Sequence, residues 1–225
     1  MDFHRSPNHD NRPDDVGVDM LVLHYTGMQS ADAACERMCD PGAEVSAHYM
    51  IDEDGTVRVL VPEDRRAWHA GEAFWRSNTD INARSIGVEM VNPGHEFGLV
   101  PFPDAQMAAL EKLSKQVIQR YSIVPVNIVG HSDVAPRRKS DPGELFDWAR
   151  LAASGIGLWP IGVEPTSPDA IDANALLDGI GYETLDMEQT VTAFQRRYRP
   201  AQIDAIIDDE TAGLIQSVHS LVDAC

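Results

Sequence analysis

Two short apolar runs, residues 20–23 (MLVL) and 127–130 (NIVG), each stop at a histidine, His24 and His131. Runs this short and β-rich read as buried strands, since an amphipathic helix needs a longer periodic stretch. Side chains delivered from strand ends are held rigidly, which a catalytic metal site requires. Asp141 follows His131 through the loop HSDVAPRRKSDPG, whose prolines restrict its shape and let Asp141 fold back. Catalytic zinc takes three protein ligands and keeps one position for water. A single histidine at a strand end is more often a hydrogen-bonded structural residue. The set His24, His131 and Asp141, taken with its neighbours, points to zinc, because its ligand types favour that ion.

A zinc hydrolase also needs a group that moves a proton. Glu89 lies in an otherwise apolar strand, SIGVEMV, where a carboxylate is costly without a partner or a task. Strand alternation leaves two orientations open for it, toward a site or toward solvent. Amide hydrolysis further calls for positive charge near the oxyanion, and Lys139 stands two residues before Asp141. Arg137 and Arg138 adjoin it and suit substrate carboxylates, or form an ordinary solvated basic loop. His69, in AWHAG, is a candidate to line a substrate cleft with Trp68 and Trp75, the alternative for the aromatics being core packing. Asn82 joins these as a substrate-binding candidate. His48 reads as structural, and His4, His9, His95 and His219 as exposed.

The remaining segments give the layout. Residues 1–17 are polar and read as an arm or loop. Ser30 is placed to cap a helix. Glu53-Asp54-Gly55 between two β-rich segments is a hairpin signal. In residues 103–121, Met107, Leu110, Leu113, Val117, Ile118 and Tyr121 share one helical face. Residues 132–143 read as a loop, and Glu144 begins a further helix. Pro160, Gly162, Pro165 and Pro168 mark a linker. Three amphipathic segments follow, about 55 residues in all and near the lower size limit for folding alone. They are marked by Leu176, Leu177 and Ile180, by Val191, Phe194 and Tyr198, and by Leu214, Ile215, Val218, Leu221 and Val222. The division expected is 1–160 and 161–225.

The net charge of -18 repels phosphate backbones and anionic bilayers, which disfavours nucleic acid and membrane surfaces as partners. No apolar run approaches the roughly 18 residues of a membrane span. The N-terminal MDFHRSPNHDNRPDD lacks the apolar segment of a secretory signal, so a cytoplasmic location is expected. Three cysteines, Cys35, Cys39 and Cys225, do not make a disulfide framework. Cys35 and Cys39 read as small packing residues in a helix, and Cys225 as a free thiol.

Five strings in order, LHYTG, SAHYMIDEDGTV, RAWHAGEAFW, SIGVEMVN and GHSDVAPRRKSDPG, resemble the zinc-dependent N-acetylmuramoyl-L-alanine amidases of the type-2 amidase and peptidoglycan-recognition superfamily. The resemblance covers about residues 20–160. It implies an α/β fold with a central mixed β-sheet flanked by helices, in agreement with the periodic segments. It implies zinc on His24, His131 and Asp141, Glu89 as the catalytic carboxylate, and Lys139 as the lysine beside the last ligand. Phage and animal members carry a catalytic tyrosine before the histidine that here is His48. Ala47 stands there in this chain, and Asp141 stands where those relatives have a cysteine, which implies the bacterial branch. Residues 161–225 are similar to a small helical peptidoglycan-binding module, with packing or dimerisation as the other reading. The implied activity is cleavage of the amide between the lactyl group of N-acetylmuramic acid and L-alanine. Its substrates would be muropeptides, in wall recycling. An envelope enzyme acting on intact peptidoglycan and a non-catalytic sensor are the alternatives.

Overall fold

The computed structural model describes residues 2–3 and 5–224, so the readings of His4 and Cys225 lie outside the described residues. The chain runs through β1 (Asp2–Phe3), β2 (His9–Asn11), β3 (Met20–Tyr25), α1 (Ala31–Cys39), β4 (Tyr49–Ile51), β5 (Val57–Val59) and β6 (Arg65–Ala67). It continues through α2 (Ile81–Arg84), β7 (Ser85–Met90), α3 (Gly94–Phe97), α4 (Asp104–Tyr121), β8 (Ile128–Gly130), α5 (His131–Val134) and α6 (Trp148–Ala153). Three further helices, α7 (Ala173–Ile180), α8 (Met187–Tyr198) and α9 (Asp209–Asp223), complete it.

Six strands form a mixed sheet in the order β1-β5-β4-β7-β3-β8, in which only the β4–β5 pair is antiparallel. That pair is the hairpin foreseen at Asp54-Gly55, with Gly55 at φ 87° donating its N–H to Asp52 O. The central strands β3 and β7 pair in parallel, with Met20 opposite Ser85, Val22 opposite Gly87 and His24 opposite Glu89. Alternation then sorts the sheet into two faces. One presents Leu21, Leu23, Ile86, Val88 and Met90 to α4, which buries Met107, Leu110, Leu113 and Val117 against them. Each such buried aliphatic contributes about 1.5–3 kcal/mol. The other face carries Met20, Val22 and Val129, and these join Leu177, Ile180, Val191, Phe194, Leu214, Ile215 and Val218 of the C-terminal helices in one buried cluster.

Ser30 caps α1 as expected, its Oγ accepting from Ala33 N. Three expectations are corrected. Residues 132–143, read as a loop, open with the last three residues of α5 (His131–Val134). The helix expected from Glu144 starts at Trp148, because Asp147 is the side chain that caps it, while Glu144 turns to His95. The N-terminal segment, read as an arm or loop, contains a paired strand. β2 pairs with β6, and the buried Asn8 side chain donates to Met38 O, Asp40 O and Val45 O. Polar side chains of this segment serve buried backbone carbonyls. Arg12 does the same for Glu63 O, Asn82 O, Ala83 O and Ser85 O.

A buried polar knot ties the C-terminal helices to the turn after β8. Asp133 accepts from Gly130 N at 2.7 Å, from Arg197 Nη1 at 2.7 Å and from Tyr182 Oη at 2.7 Å. Arg197 also donates to Ile128 O and lies over the Trp148 ring at 4.0 Å. Removing one member of a buried ion pair leaves the other uncompensated. Arg197→Leu is therefore expected to lower stability by about 3 kcal/mol or more, read as a reduced urea midpoint.

His48 is structural, as read from the sequence. Its Nδ1 accepts from Gly87 N at 2.9 Å and its Nε2 faces Arg65 O, pinning the start of β4 to β7. Burial, helped by the nearby Arg12 charge, pushes its pKa from the ordinary 6.5 down to about 3. The unfolded chain thus binds a proton that the folded one refuses between these values, so stability falls as pH drops through that window. The loss reaches up to about 1.4 kcal/mol per pH unit. In chelator, urea midpoints should fall less steeply below pH 6.5 for His48→Gln than for the unmodified protein. Equal slopes would remove His48 from the acid response.

Candidate active site

Three elements bring the predicted ligands together. His24 is near the end of β3, His131 opens α5 directly after β8, and Asp141 returns on the loop beyond it. Adjacent pairing of β3 and β8 sets the first two side by side. Asp141 O accepts from Ser132 N at 2.8 Å, which closes the loop back on the helix. His24 Nδ1, His131 Nδ1 and Asp141 Oδ2 then form a triangle with sides of 3.0 Å, and all three residues are buried. Two imidazole nitrogens and a carboxylate oxygen drawn to one point suit a tetrahedral zinc site, whose ligands at about 2.0–2.1 Å stand about 3.3 Å apart. Burial and the facing His131 ring push the His24 pKa down to about 4, against the pull of Asp141, so at neutral pH this imidazole is uncharged and able to ligate. Burial would raise the Asp141 pKa, but the two histidines hold it far below the carboxylate range.

Glu89 sits across the strand pair from His24, in register, and so faces the same way. This resolves its orientation: it points into the site. Glu89 as a whole is 9% exposed, and its Oε2 finds no hydrogen-bond partner among the described residues. Burial raises its pKa well above the ordinary 4.5; Asp141 adds to the rise and Lys139 opposes it. An unpartnered buried carboxylate beside a ligand triangle is a group available to take and return a proton.

These residues open onto a cleft of about 570 Å³ lined by Glu89, His131, Asp141, Lys139, Arg138 and Arg37, among others. Three cationic side chains thus share the cleft with the carboxylates Glu89, Glu96 and Asp141. Tyr25 Oη, at 2.9 Å from His95 Nδ1 and 3.1 Å from Ser140 Oγ, links the rim around α3 to the loop that carries Lys139 and Asp141.

The substrate-binding candidates divide. His69 lines the cleft, and its Nδ1 lies 3.1 Å from His24 Nε2. Trp75 does not line it. It is 2% exposed and meets the Tyr182 ring edge-on in the core shared with the C-terminal helices. Trp68 is half-buried, with its backbone held by Ser46, and does not line the cleft. Asn82 is buried and spends its Oδ1 on the backbone N–H groups of His69 and Ala70. Arg137 is drawn away to Glu183 at 2.9 Å and lines a neighbouring pocket, so Arg138 is the arginine of that pair at the cleft. Sequence reading missed Ser85 and Gly87. Alternation through SIGVEM places both on the face of Glu89, and that was the available signal.

Residues 12–144 match the N-acetylmuramoyl-L-alanine amidase family. The chain is 36% identical to the N-acetylmuramoyl-L-alanine amidase AmiD of Escherichia coli (strain K12), over 89% of this chain and 82% of that one. It is 37% identical to the 1,6-anhydro-N-acetylmuramyl-L-alanine amidase AmpD of Enterobacter cloacae, over 66% of this chain and 86% of that one. The solved complex of E. coli AmiD with anhydro-N-acetylmuramic acid-L-Ala-D-gamma-Glu-L-Lys superposes with a TM-score of 0.80 at 34% identity, covering 91% of this chain and 89% of that one. Ligand triangle, in-register carboxylate, fold and sequence match together make this chain a member of the N-acetylmuramoyl-L-alanine amidase family.

Proposed function

We propose that this protein is a zinc-dependent amidase that releases the stem peptide from anhydro-muropeptides during wall recycling. The observation that carries the reading is the His24–His131–Asp141 triangle with the unpartnered Glu89 facing it. Support for the substrate class comes from the relatives, one of them solved with an anhydro-muropeptide bound. Arg37, Arg138 and Lys139 in the cleft offer donors for the carboxylates of an acidic stem peptide.

In this reading His24, His131 and Asp141 hold zinc. The ion, when bound, supplies Lewis-acid polarisation and lowers the pKa of water toward about 7. Glu89 accepts the proton of the attacking water and returns it to the departing amine of L-alanine. Its raised pKa makes it a better proton acceptor than an ordinary carboxylate. Lys139, in the same cleft, places an ammonium near the oxygen that gains charge.

Purified protein offered a soluble anhydro-muropeptide should release free stem peptide, lose this activity in chelator and regain it with zinc. Bound zinc without any peptide release, from soluble fragments or from sacculi, would favour a muropeptide sensor instead. Asp141→Ala should lose most of the metal, measured by elemental analysis; full occupancy would take Asp141 out of the ligand set. Glu89→Gln should keep the metal while kcat drops about 10²–10⁴-fold. Lys139→Ala should reduce kcat about 10²–10³-fold with little change in KM, and a pure KM effect would reassign it to substrate contact.

A further inference from the structure

Both ring nitrogens of His69 and the Oδ1 of Asn82 face partners within the protein, and the direction of each hydrogen bond can be worked out from one fixed end. Ile81 O can only accept. Ser85 Oγ donates to it at 2.6 Å, which uses the only hydroxyl hydrogen. Ser85 Oγ therefore accepts from His69 Nε2, 3.1 Å away. A neutral His69 with its proton on Nε2 keeps a lone pair on Nδ1, which faces His24 Nε2 at 3.1 Å. His24 must then carry its proton on Nε2 and keep its lone pair on Nδ1. That is the atom 3.0 Å from both His131 Nδ1 and Asp141 Oδ2.

The other histidine is fixed in the same sense. His131 Nε2 donates to Ala70 O at 3.0 Å, which leaves its Nδ1 free. Asn82 Oδ1 accepts from His69 N at 3.1 Å and Ala70 N at 2.8 Å, so one amide holds the backbone behind both imidazoles. Space is fitted to the arrangement as well. A Cβ on Gly87 would stand 2.5 Å from His69 Cγ, so only glycine there admits the ring.

We propose that Ser85, His69 and Asn82 are positioning residues that set the tautomers of His24 and His131, presenting both Nδ1 lone pairs to the metal, and that His69 and Asn82 are not substrate contacts. This rests on the metal reading given above. Partners behind a ligating histidine typically influence metal affinity 10–100-fold when removed.

The test is a zinc competition titration against a chromophoric chelator, with the His69 tautomer read by long-range ¹H–¹⁵N correlation in the metal-free and zinc-loaded protein. Ser85→Ala and His69→Phe should weaken zinc binding about 10–100-fold. His69→Gln, whose amide can accept from His24 and donate to Ser85, should recover much of it. A role in filling space alone would rank Phe above Gln, and that ranking overturns the proposal. So does a His69 proton found on Nδ1, or wild-type affinity in both Ser85→Ala and His69→Phe. Failure of the unmodified protein to bind zinc would overturn the metal reading itself. The His69 tautomer, read without metal, decides the relay in that case too.

Discussion

The parallel, in-register pairing of β3 with β7 sets His24 beside Glu89, and the rest of the site is arranged around that contact. A shift of either strand by one residue would turn its own side chain, His24 or Glu89, to the opposite face, into the packing layer of α4. The register is held by hydrophobic sorting. Leu21, Leu23, Ile86, Val88 and Met90 lose their burial if either strand slips, and those five side chains outweigh any preference of the polar ones.

The site face is a compromise between packing and chemistry. Along it, Met20 and Val22 lie under the C-terminal helices, while His24, Ser85, Gly87 and Glu89 face inward toward the cleft and the histidines. Burial pushes His24 toward the neutral state, and it pushes Glu89 the same way. Both shifts have one cause: the low-dielectric setting disfavours charge, so an imidazole stays free to ligate and a carboxylate becomes able to hold a proton. Two imidazole nitrogens and a carboxylate oxygen drawn to one point suit the charge of a metal cation.

The C-terminal helices bear on this site through buried contacts rather than through the linker. Asp133, two residues from His131, is held from the far side by Tyr182 and Arg197, while Trp75 is enclosed by the same helices. Leu177, Phe194 and Ile215 share a cluster with strand residues Val22 and Val129, so these helices complete the core on that face of the sheet. A polar knot of this kind fixes orientation as well as adding stability, because each oxygen of Asp133 has a defined donor.

The sequence by itself determined strands β3, β4, β5, β7 and β8, the long helix, the hairpin, and the ligand candidates His24, His131 and Asp141. Those follow from local rules: periodicity, turn chemistry, and donor types at strand ends. The fate of the polar and aromatic side chains around them was decided only by the tertiary structure. The direction of Glu89 depended on which face of β7 met which layer. Trp75, Asn82 and Arg137 meet Tyr182, the His69–Ala70 backbone and Glu183 respectively, partners up to 107 residues distant in the case of Trp75 and Tyr182. A hydrogen bond or a ring contact needs its partner at contact distance, and periodicity carries no information about a partner so remote along the chain.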